Sequence, residues 1–356
     1  MASRREYEGQ SAAPARGQKR KKRGCGCLLG IVLAVLALAG VLYCGSILKE
    51  LNVTDFTTDT SELGINEDHS DETVKSNLGN TGIVNIALFG VDQREGDTAF
   101  RSDAIMILSV DKPAGKLKLS TIMRDSLVEI EGYGQQKITK AYYYGGPELA
   151  VKTLNQNFDL NIREYAAVNF RQMAAIIDAV GGVDIDISEA ERQNANNSIR
   201  EQSEVAGLPA DYIESAGLQT LNGTQAVAYA RIRYVGNADF ERTSRQREVL
   251  RKVFDKALDM NPLQYPEFAR KFLPTVETSL DLGDILSLAD IMLKKPTLQD
   301  VRFPTNADLI GDGSIMVNGE NCLNLDLQST SEKLHAFIYD DIDPTTDADR
   351  LSNGEH

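Results

Sequence analysis

Ile83-Val84-Asn85-Ile86-Ala87-Leu88-Phe89-Gly90-Val91 is a short apolar run rich in β-branched residues, and a run of that length and type predicts a strand buried at the centre of a sheet. Two further strands are expected at Ala104 to Val110 and Lys116 to Met123, separated by Asp111-Lys112-Pro113-Ala114-Gly115, a Pro/Gly turn of hairpin length. Gly146-Pro147 opens a helix with proline in its first turn, and Val151, Leu154 and Phe158 share one of its faces. Met173, Ile176, Ile177 and Val180 recur at helical spacing, so Phe170 to Val180 reads as a helix stopped by Gly181-Gly182. Val183 to Ile187 alternates like a strand, Gly223 to about Ala230 and Asp239 to Met260 read as helices, and a last strand lies around Leu298 to Phe303. Strands and helices mixed in this order predict an α/β fold, a three-layer α/β/α domain with a central mixed sheet.

Upstream of this core the chain changes character. From Gly24 to Leu48 no residue is charged and most are apolar, directly behind the basic cluster Lys19, Arg20, Lys21, Lys22 and Arg23. At about 1.5 Å rise per residue the run is long enough for a hydrocarbon core of about 30 Å, and the basic flank predicts a cytoplasmic N-terminus. A cleaved signal peptide is the competing reading. The long polar N-region, the length of the span and the lack of a small-x-small site after it favour an uncleaved N-terminal transmembrane helix. The expected organisation is a cytoplasmic basic tail (1–23), a transmembrane helix (24–48), an acidic stalk (49–80), an extracytoplasmic domain (81–338) and a disordered acidic tail (339–356). The protein is then a single-pass protein of the cell membrane.

With 356 residues, 42% of them hydrophobic, the chain can build one large core. Its formal charge is −14, from 38 basic and 52 acidic residues, so it is a poor general binder of nucleic acid, and any anion it handles must be held by a local arginine cluster. Of four cysteines, Cys25, Cys27 and Cys44 lie in or beside the membrane run, which leaves Cys322 alone outside and excludes a disulfide framework or a cysteine metal site there. For Cys25 and Cys27, acylation and a plain membrane-edge role both stay open. His69, His335 and His356 stand near no motif, so a Ser-His-Asp or Cys-His system has no base. No P-loop or G-x-G-x-x-G is present to hold a nucleotide.

The chemistry collects in short segments at strand ends. The first strand runs into Asp92, and the next is entered through Arg101-Ser102-Asp103. Two carboxylates at the ends of neighbouring strands suit a hard cation such as Mg²⁺, which needs one or two protein carboxylates plus phosphate and water; loop capping is the competing reading. The third strand leads into Met123-Arg124-Asp125, where a surface ion pair is the alternative. Tyr229-Ala230-Arg231-Ile232-Arg233-Tyr234 places Arg231 and Arg233 on one face if the segment is extended. In the helix after it, Val249, Leu250, Val253, Phe254, Ala257 and Leu258 define an inward stripe. About 100° per residue puts Arg242 and Gln246 on the same side, Arg245 at its border, and Arg247 and Arg251 in solvent. Buried guanidinium groups are costly unless paired. The inward arginines therefore predict either a bound anion with several oxygens or an internal network with Asp239, Asp92 or Asp103. Planar guanidinium forks suit phosphate oxygens, which favours a diphosphate. Small residues Ala174, Ala175 and Ala179 beside Met173, Ile176 and Ile177 leave room for a lipid groove, with ordinary core packing as the alternative.

Gly90-Val91-Asp92-x-Arg94, Arg101-Ser102-Asp103, Met123-Arg124-Asp125, Lys137 with Ala141-Tyr142 and Gly145-Gly146, Gly181-Gly182-Val183, Leu221-Asn222-Gly223, and Tyr229-Ala230-Arg231-x-Arg233 with Arg242 and Arg245-Gln246 form an ordered series from about residue 82 to 255. The series resembles the LytR-CpsA-Psr family. That resemblance implies an extracytoplasmic phosphotransferase that moves an anionic glycopolymer, such as a teichoic acid or capsule, from a polyprenyl diphosphate carrier to peptidoglycan. It also implies Mg²⁺ (or Mn²⁺) as cofactor, with Asp92 and Asp103 as its ligands. Arg124, Lys137, Arg231, Arg233, Arg242, Arg245 and Gln246 would meet the pyrophosphate or its surroundings, with Arg94 and Arg101 beside the substrate. Asp125 and Asp239 are candidates for the general base, and Asp103 is a third if it is not committed to metal. One position departs from the pattern, Lys140, so Lys137 and Lys140 compete for the phosphate. A non-catalytic polyprenyl-phosphate binding or regulatory protein and a lipid diphosphate hydrolase are the alternatives. The sequence carries no code for the polymer or for the oligomeric state.

Overall fold

The computed structural model describes residues 52–66, 82–92, 100–206, 209–232, 238–261, 264–272, 274, 276–346 and 349. The basic tail (1–23) and the membrane segment (24–48) lie outside the described residues. Among the described residues no helix is long and apolar enough to cross a membrane.

Elements are numbered along the chain. A seven-stranded mixed sheet runs, in spatial order, β1 (Asn52–Val53), β10 (Glu277–Thr278), β7 (Glu164–Asn169), β2 (Ile83–Val91), β3 (Ser102–Asp111), β4 (Lys116–Ile122) and β11 (Thr297–Phe303). Strands β2 and β7 pair in parallel, as do β4 and β11, while β3 is antiparallel to both neighbours, β2 and β4. The expected strand at the centre is there, and the Pro/Gly turn closes the β3–β4 hairpin. Strand β7, which no sequence pattern announced, sits beside β2, and Val183–Ile187 pairs with Gly217–Leu221 in a separate two-stranded sheet.

Alternation along the strands sends their side chains to two different layers. Ala87, Phe89 and Val91 of β2, Ile105 and Ile107 of β3, and Val301 and Phe303 of β11 pack with α1 (Thr139–Phe158) and α8 (Leu327–Tyr339) through Val151, Leu154, Phe158, Leu334, Phe337 and Ile338. The other face, with Ile86, Leu88, Met106, Leu108 and Leu117, lies under α2 (Phe170–Ala179), α5 (Ala238–Asp259) and α7 (Leu282–Leu293). A second core joins α2 to the antiparallel pair β8 (Val183–Ile187) and β9 (Gly217–Leu221), to α3 (Glu189–Ala206) and to α4 (Gly223–Ala230). Two more hairpins, β5 (Leu127–Ile130) with β6 (Gly134–Lys137) and β12 (Leu309–Val317) with β13 (Glu320–Leu325), meet beside β4, where the Leu323 N–H donates to the Asp125 carbonyl at 2.8 Å.

The motif Leu221-Asn222-Gly223 has a packing reason. Asn222 caps α4 in a capping box with Gln225, and a Cβ at Gly223 would lie 2.0 Å from the Ala174 carbonyl oxygen, so only glycine lets α4 start against α2.

Three expectations about the chain's organisation need correction. Residues 52–66, read as stalk, belong to the fold. Asn52–Val53 adds a strand to the sheet edge, and Leu63 is fully buried in the main core. The acidic tail is also tied down in part, because Asp349 is buried against Arg302 at 3.4 Å. Helix α1 starts at Thr139, before the expected Gly146-Pro147. Its first turns are set off by Gly145 and Gly146, whose backbone is non-helical, and Pro147 opens the longer second segment.

Candidate functional site

The strand directions gather five chain ends at one edge of the sheet. There β2, β4, β7 and β11 finish and β3 begins, so Asp92, Arg101-Ser102-Asp103, Arg124-Asp125, Asn169-Phe170 and Phe303 lie along one rim. In α/β sheets the carboxyl ends of strands are where ligands are held. Here the ladder between β2 and β3 is also irregular: Gly90 faces Ala104, but Val91 faces Ser102, which leaves Asp103 as an extra residue in a bulge. A bulge re-aims a side chain out of strict alternation. The Asp92 N–H donates to the Arg101 carbonyl at 3.1 Å and holds the rim of the pair together.

Charged side chains are laced along this rim. Arg124 Nη1 meets Asp103 Oδ1 at 2.6 Å and its Nε lies 3.4 Å from Asp125 Oδ2, while Lys137 Nζ donates to Asp125 Oδ1 at 2.6 Å. The carbonyl groups of Ser102 and Arg124 both accept from Thr139, through its hydroxyl at 2.7 Å and its N–H at 3.1 Å. The start of α1 is thereby fastened between the strands that carry Asp103 and Arg124. The two competing lysines separate: Lys137 joins Asp125, whereas Lys140 Nζ goes to Glu320 Oε2 at 2.7 Å on the β12–β13 hairpin. The Glu320 carboxyl is held below the usual range mainly by Lys140, with Lys137 and Arg101 adding to it, so these three basic residues surround one acid.

Arg231 reaches the same rim by another route. It is not extended, as the spacing suggested, but occupies the helical turn that ends α4, because the helix runs through Ala230 and its last N–H groups close back on Ala228 and Tyr229. From there its guanidinium lies 4.4 Å from the centre of the Phe170 ring, at the first turn of α2. Arg94 and Arg233 lie outside the described residues, and Asp239 is described only as part of α5, without its side chain.

Helix α5 corrects the phase argument. Arg242 and Arg245 are buried, as expected, but so is Arg247, which the helical phase assigns to solvent; Arg251 is exposed. The N-terminal half of α5 is covered from two sides, and an apolar stripe reports only one of them. On one side Arg245 is gripped by Glu191 of α3 at 2.9 Å and by Glu241 at 2.7 Å, partners other than the acids the sequence offered. Burial opposes ionisation of Glu191, yet bonds from Ser188 and Arg245 outweigh it and keep the carboxyl below its usual range. On the other side Arg247 Nε meets Asp300 of β11 at 2.9 Å. Arg302 of the same strand stacks on Phe240 at 4.7 Å, and burial together with repulsion from Arg247 lowers its guanidinium to about 10 despite Asp349.

Between α5 and the sheet lies a cavity of about 430 Å³. It runs from Leu117, Leu288 and Met292 at one end to Asp103, Asn169 and Gln246 at the charged rim, and between them its wall is apolar, with Leu88, Met106, Val168, Met173, Ile176, Val249, Val253 and Phe254. Met173 and Ile176 line it, but Ala174, Ala175 and Ala179, the small residues on which the groove reading rested, do not, and Ile177 is packed in the second core. Strands β2, β3 and β7 supply one wall, and Leu280, Leu288 and Ile291, which no motif or period singled out, close the far end. Outside the cavity His335 bonds the Phe158 carbonyl, and Cys322 is buried beside the rim, within electrostatic reach of Asp125 and Lys137.

Comparison with known proteins matches this architecture. The LytR_cpsA_psr family profile matches residues 50–335. The polyisoprenyl-teichoic acid--peptidoglycan teichoic acid transferase TagU of Oceanobacillus iheyensis is 31% identical over 284 residues, covering 77% of this chain and 82% of that relative. The regulatory protein MsrR of Staphylococcus aureus is 34% identical over 176 residues, 49% of each chain. Among solved structures, the LytR-CPS2A-psr family protein YwtF (TagT) with bound octaprenyl pyrophosphate lipid has a TM-score of 0.56 at 22% identity, over 74% of this chain and 93% of that one.

Proposed function

This chain belongs to the LytR_cpsA_psr family, and on that premise we propose that it is a membrane-anchored phosphotransferase moving an anionic glycopolymer from a polyprenyl diphosphate carrier to peptidoglycan. The observation that carries this reading is the junction of a long apolar cavity with a rim of Arg124, Lys137 and Arg231. A wholly apolar wall selects an isoprenoid tail, because such a tail loses water contact without leaving any polar group unpaired. Guanidinium groups at the open end select the head group joined to that tail, a diphosphate. The names of TagU and of the lipid-bound TagT point the same way.

In this reading the tail fills the cavity, Gln246 faces its polar end, and Arg124 and Arg231 meet the diphosphate, joined by Arg94 and Arg233 from neighbouring segments and by Arg101 at the outer side. Arg245, paired with Glu191 and Glu241, holds α5 in place above it, and Arg242 is buried on the same helix. An acceptor hydroxyl gives its proton to a carboxylate, Asp125 or Asp239, and its oxygen bonds to the sugar-side phosphorus. The bond from that phosphorus to the bridging oxygen breaks, and lipid monophosphate leaves. Lys137, already on Asp125, fixes that carboxylate's position. Asp92 and Asp103 would hold Mg²⁺ or Mn²⁺, which when bound supplies positive charge to the phosphate oxygens. Among the described residues no group of three or more His, Cys, Asp or Glu stands ready for a metal, and a pair of carboxylates fits an ion that completes its shell with phosphate and water. The segment 24–48 would span the membrane and leave residues from about 50 outside the cell.

Native mass spectrometry of the detergent-extracted full chain tests the reading. A polyprenyl phosphate or diphosphate should accompany the protein, and Ala257→Phe, which places a ring in the cavity, should abolish both its retention and polymer transfer. Retained lipid with no transfer to peptidoglycan leaves a binding or regulatory protein. Release of free phosphorylated glycan leaves a hydrolase.

A further inference from the structure

Away from the rim, the first segment of α1 and the β5–β6 turn carry a group of aromatic rings that is only partly taken up by the core. Tyr133, in the β5–β6 turn, and Tyr144 stack face to face with centroids 4.0 Å apart and planes 1° from parallel, and Tyr143 meets Tyr144 edge-on at 5.6 Å. Tyr144 is partly buried against the main core, so the group is fixed from beneath. Tyr133 and Tyr143 are each 46% exposed, which is unusual for large rings held this rigidly. Gly146, at φ 63° and ψ −156°, breaks the helix directly after them, a conformation open only to glycine.

The group is also close to the rim by construction. Thr139 is bonded to the backbone of Ser102 and Arg124, and Tyr143 follows it by one helical turn, about 6 Å along the axis. Rings with apolar faces and polar hydroxyl edges match pyranose rings, which present C–H groups on their faces and hydroxyls around them. The charge nearby decides which saccharide. Glu131, Glu148 and Glu129 flank these tyrosines in the chain on β5, its turn and α1, with Glu131 paired to Lys152 and, one turn before Tyr143, Lys140 paired to Glu320. The basic side chains beside the platform are thus engaged with carboxylates, which suits a neutral glycan better than an anionic polymer.

We propose that Tyr133, Tyr143 and Tyr144 form a platform for the uncharged sugar rings of the acceptor glycan, leading its hydroxyl toward the rim at Asp103 and Arg124. Identification of that glycan as the acceptor rests on the transferase reading; saccharide binding by the platform does not. The test is titration of the full-length protein in detergent with chitotetraose, followed by tyrosine emission, since the chain has no tryptophan. Wild type should bind, Tyr143→Ala and Tyr133→Ala should each lose about tenfold in affinity, and Tyr143→Phe, which keeps the ring, should retain it. In transfer assays the alanine variants should raise the acceptor KM with kcat nearly unchanged, and co-purified lipid should not change. No binding by wild type, or equal affinity in folded alanine variants, overturns the platform. Ring-dependent saccharide binding in a protein that retains no lipid and transfers nothing upholds the platform and removes the transferase reading instead.

Discussion

The two faces of the central sheet are built from alternate residues of the same strands, yet one is solid and the other hollow. On the α1 and α8 face, Phe89, Phe158, Phe303 and Phe337 belong to one buried cluster, with the Phe303 and Phe337 rings 6.2 Å apart. On the α5 face, Gly90, Ala104, Ala166, Ala230 and Ala257 stand where larger residues would meet, and a cavity of about 430 Å³ remains. Hydrophobicity does not separate the faces; side-chain volume does. What holds α5 away from the sheet is also different in kind, since Arg247 to Asp300 and Arg245 to Glu191 act as charged struts at its N-terminal half. A cavity that stays open needs walls that do not collapse, and struts fixed by hydrogen-bond geometry resist collapse better than apolar contacts that gain from it.

The contrast breaks most visibly on the solid face. Phe89→Ala should cost about 3–5 kcal/mol, because its neighbours cannot close the void, whereas Met106→Ala on the cavity wall should cost about 2 kcal/mol, the low end for a buried methionine, since its side chain already borders empty space and has fewer contacts to lose. Chemical denaturation of the two variants checks this, and equal losses would mean that the cavity side is packed in solution.

The struts give the next effect. Arg247→Ala removes the cation from the partly buried Asp300 and should destabilise by about 2 kcal/mol, while Arg251→Ala, on the exposed side of the same helix, should stay within about 0.5 kcal/mol. Thermal unfolding separates them, and a neutral Arg247→Ala would show that the cavity does not depend on this strut.

A smaller effect comes from the end of β7 away from the rim. Burial raises the Glu164 carboxyl to about 7, against a stabilising bond from Ser279 and with Asp284 and Asp281 adding repulsion. The folded protein therefore keeps a proton that the unfolded chain releases near pH 4.5. The stability this group contributes is complete below that pH and is lost as pH rises through about 7. Stability measured from pH 4.5 to 7.5 should decline less steeply in Glu164→Gln than in wild type, and identical slopes would show that Glu164 is solvated.

Much of this was legible from local pattern. The runs at Ile83–Val91 and Lys116–Met123, the capped helices and the motifs at strand ends depend on neighbours a few residues apart, and such neighbours are visible in one dimension. Asp92, Asp103, Arg124 and Lys137 stand out because chemistry-bearing residues at the ends of apolar runs have few other reasons to be there. Arg231 stands out equally but with the wrong backbone, since Ala226 to Ala230 propagates a helix that the arginine spacing alone does not reveal.

The rest belongs to tertiary structure. That Arg247 is buried follows from β11 passing beneath α5, and that Asp349 is part of the fold follows from Arg302 lying beneath it. Strand β7 has Glu164 and Asn169 at the ends of a short apolar middle, so its central place is decided by pairing with β2 rather than by its own composition. The cavity is the extreme case. Sequence determines which residues are apolar and which face of each strand or helix they share, because those are properties of a local period. An empty volume is the difference between the space that distant elements enclose and the side chains that fill it, and that difference exists only once the helices and the sheet have been set against each other.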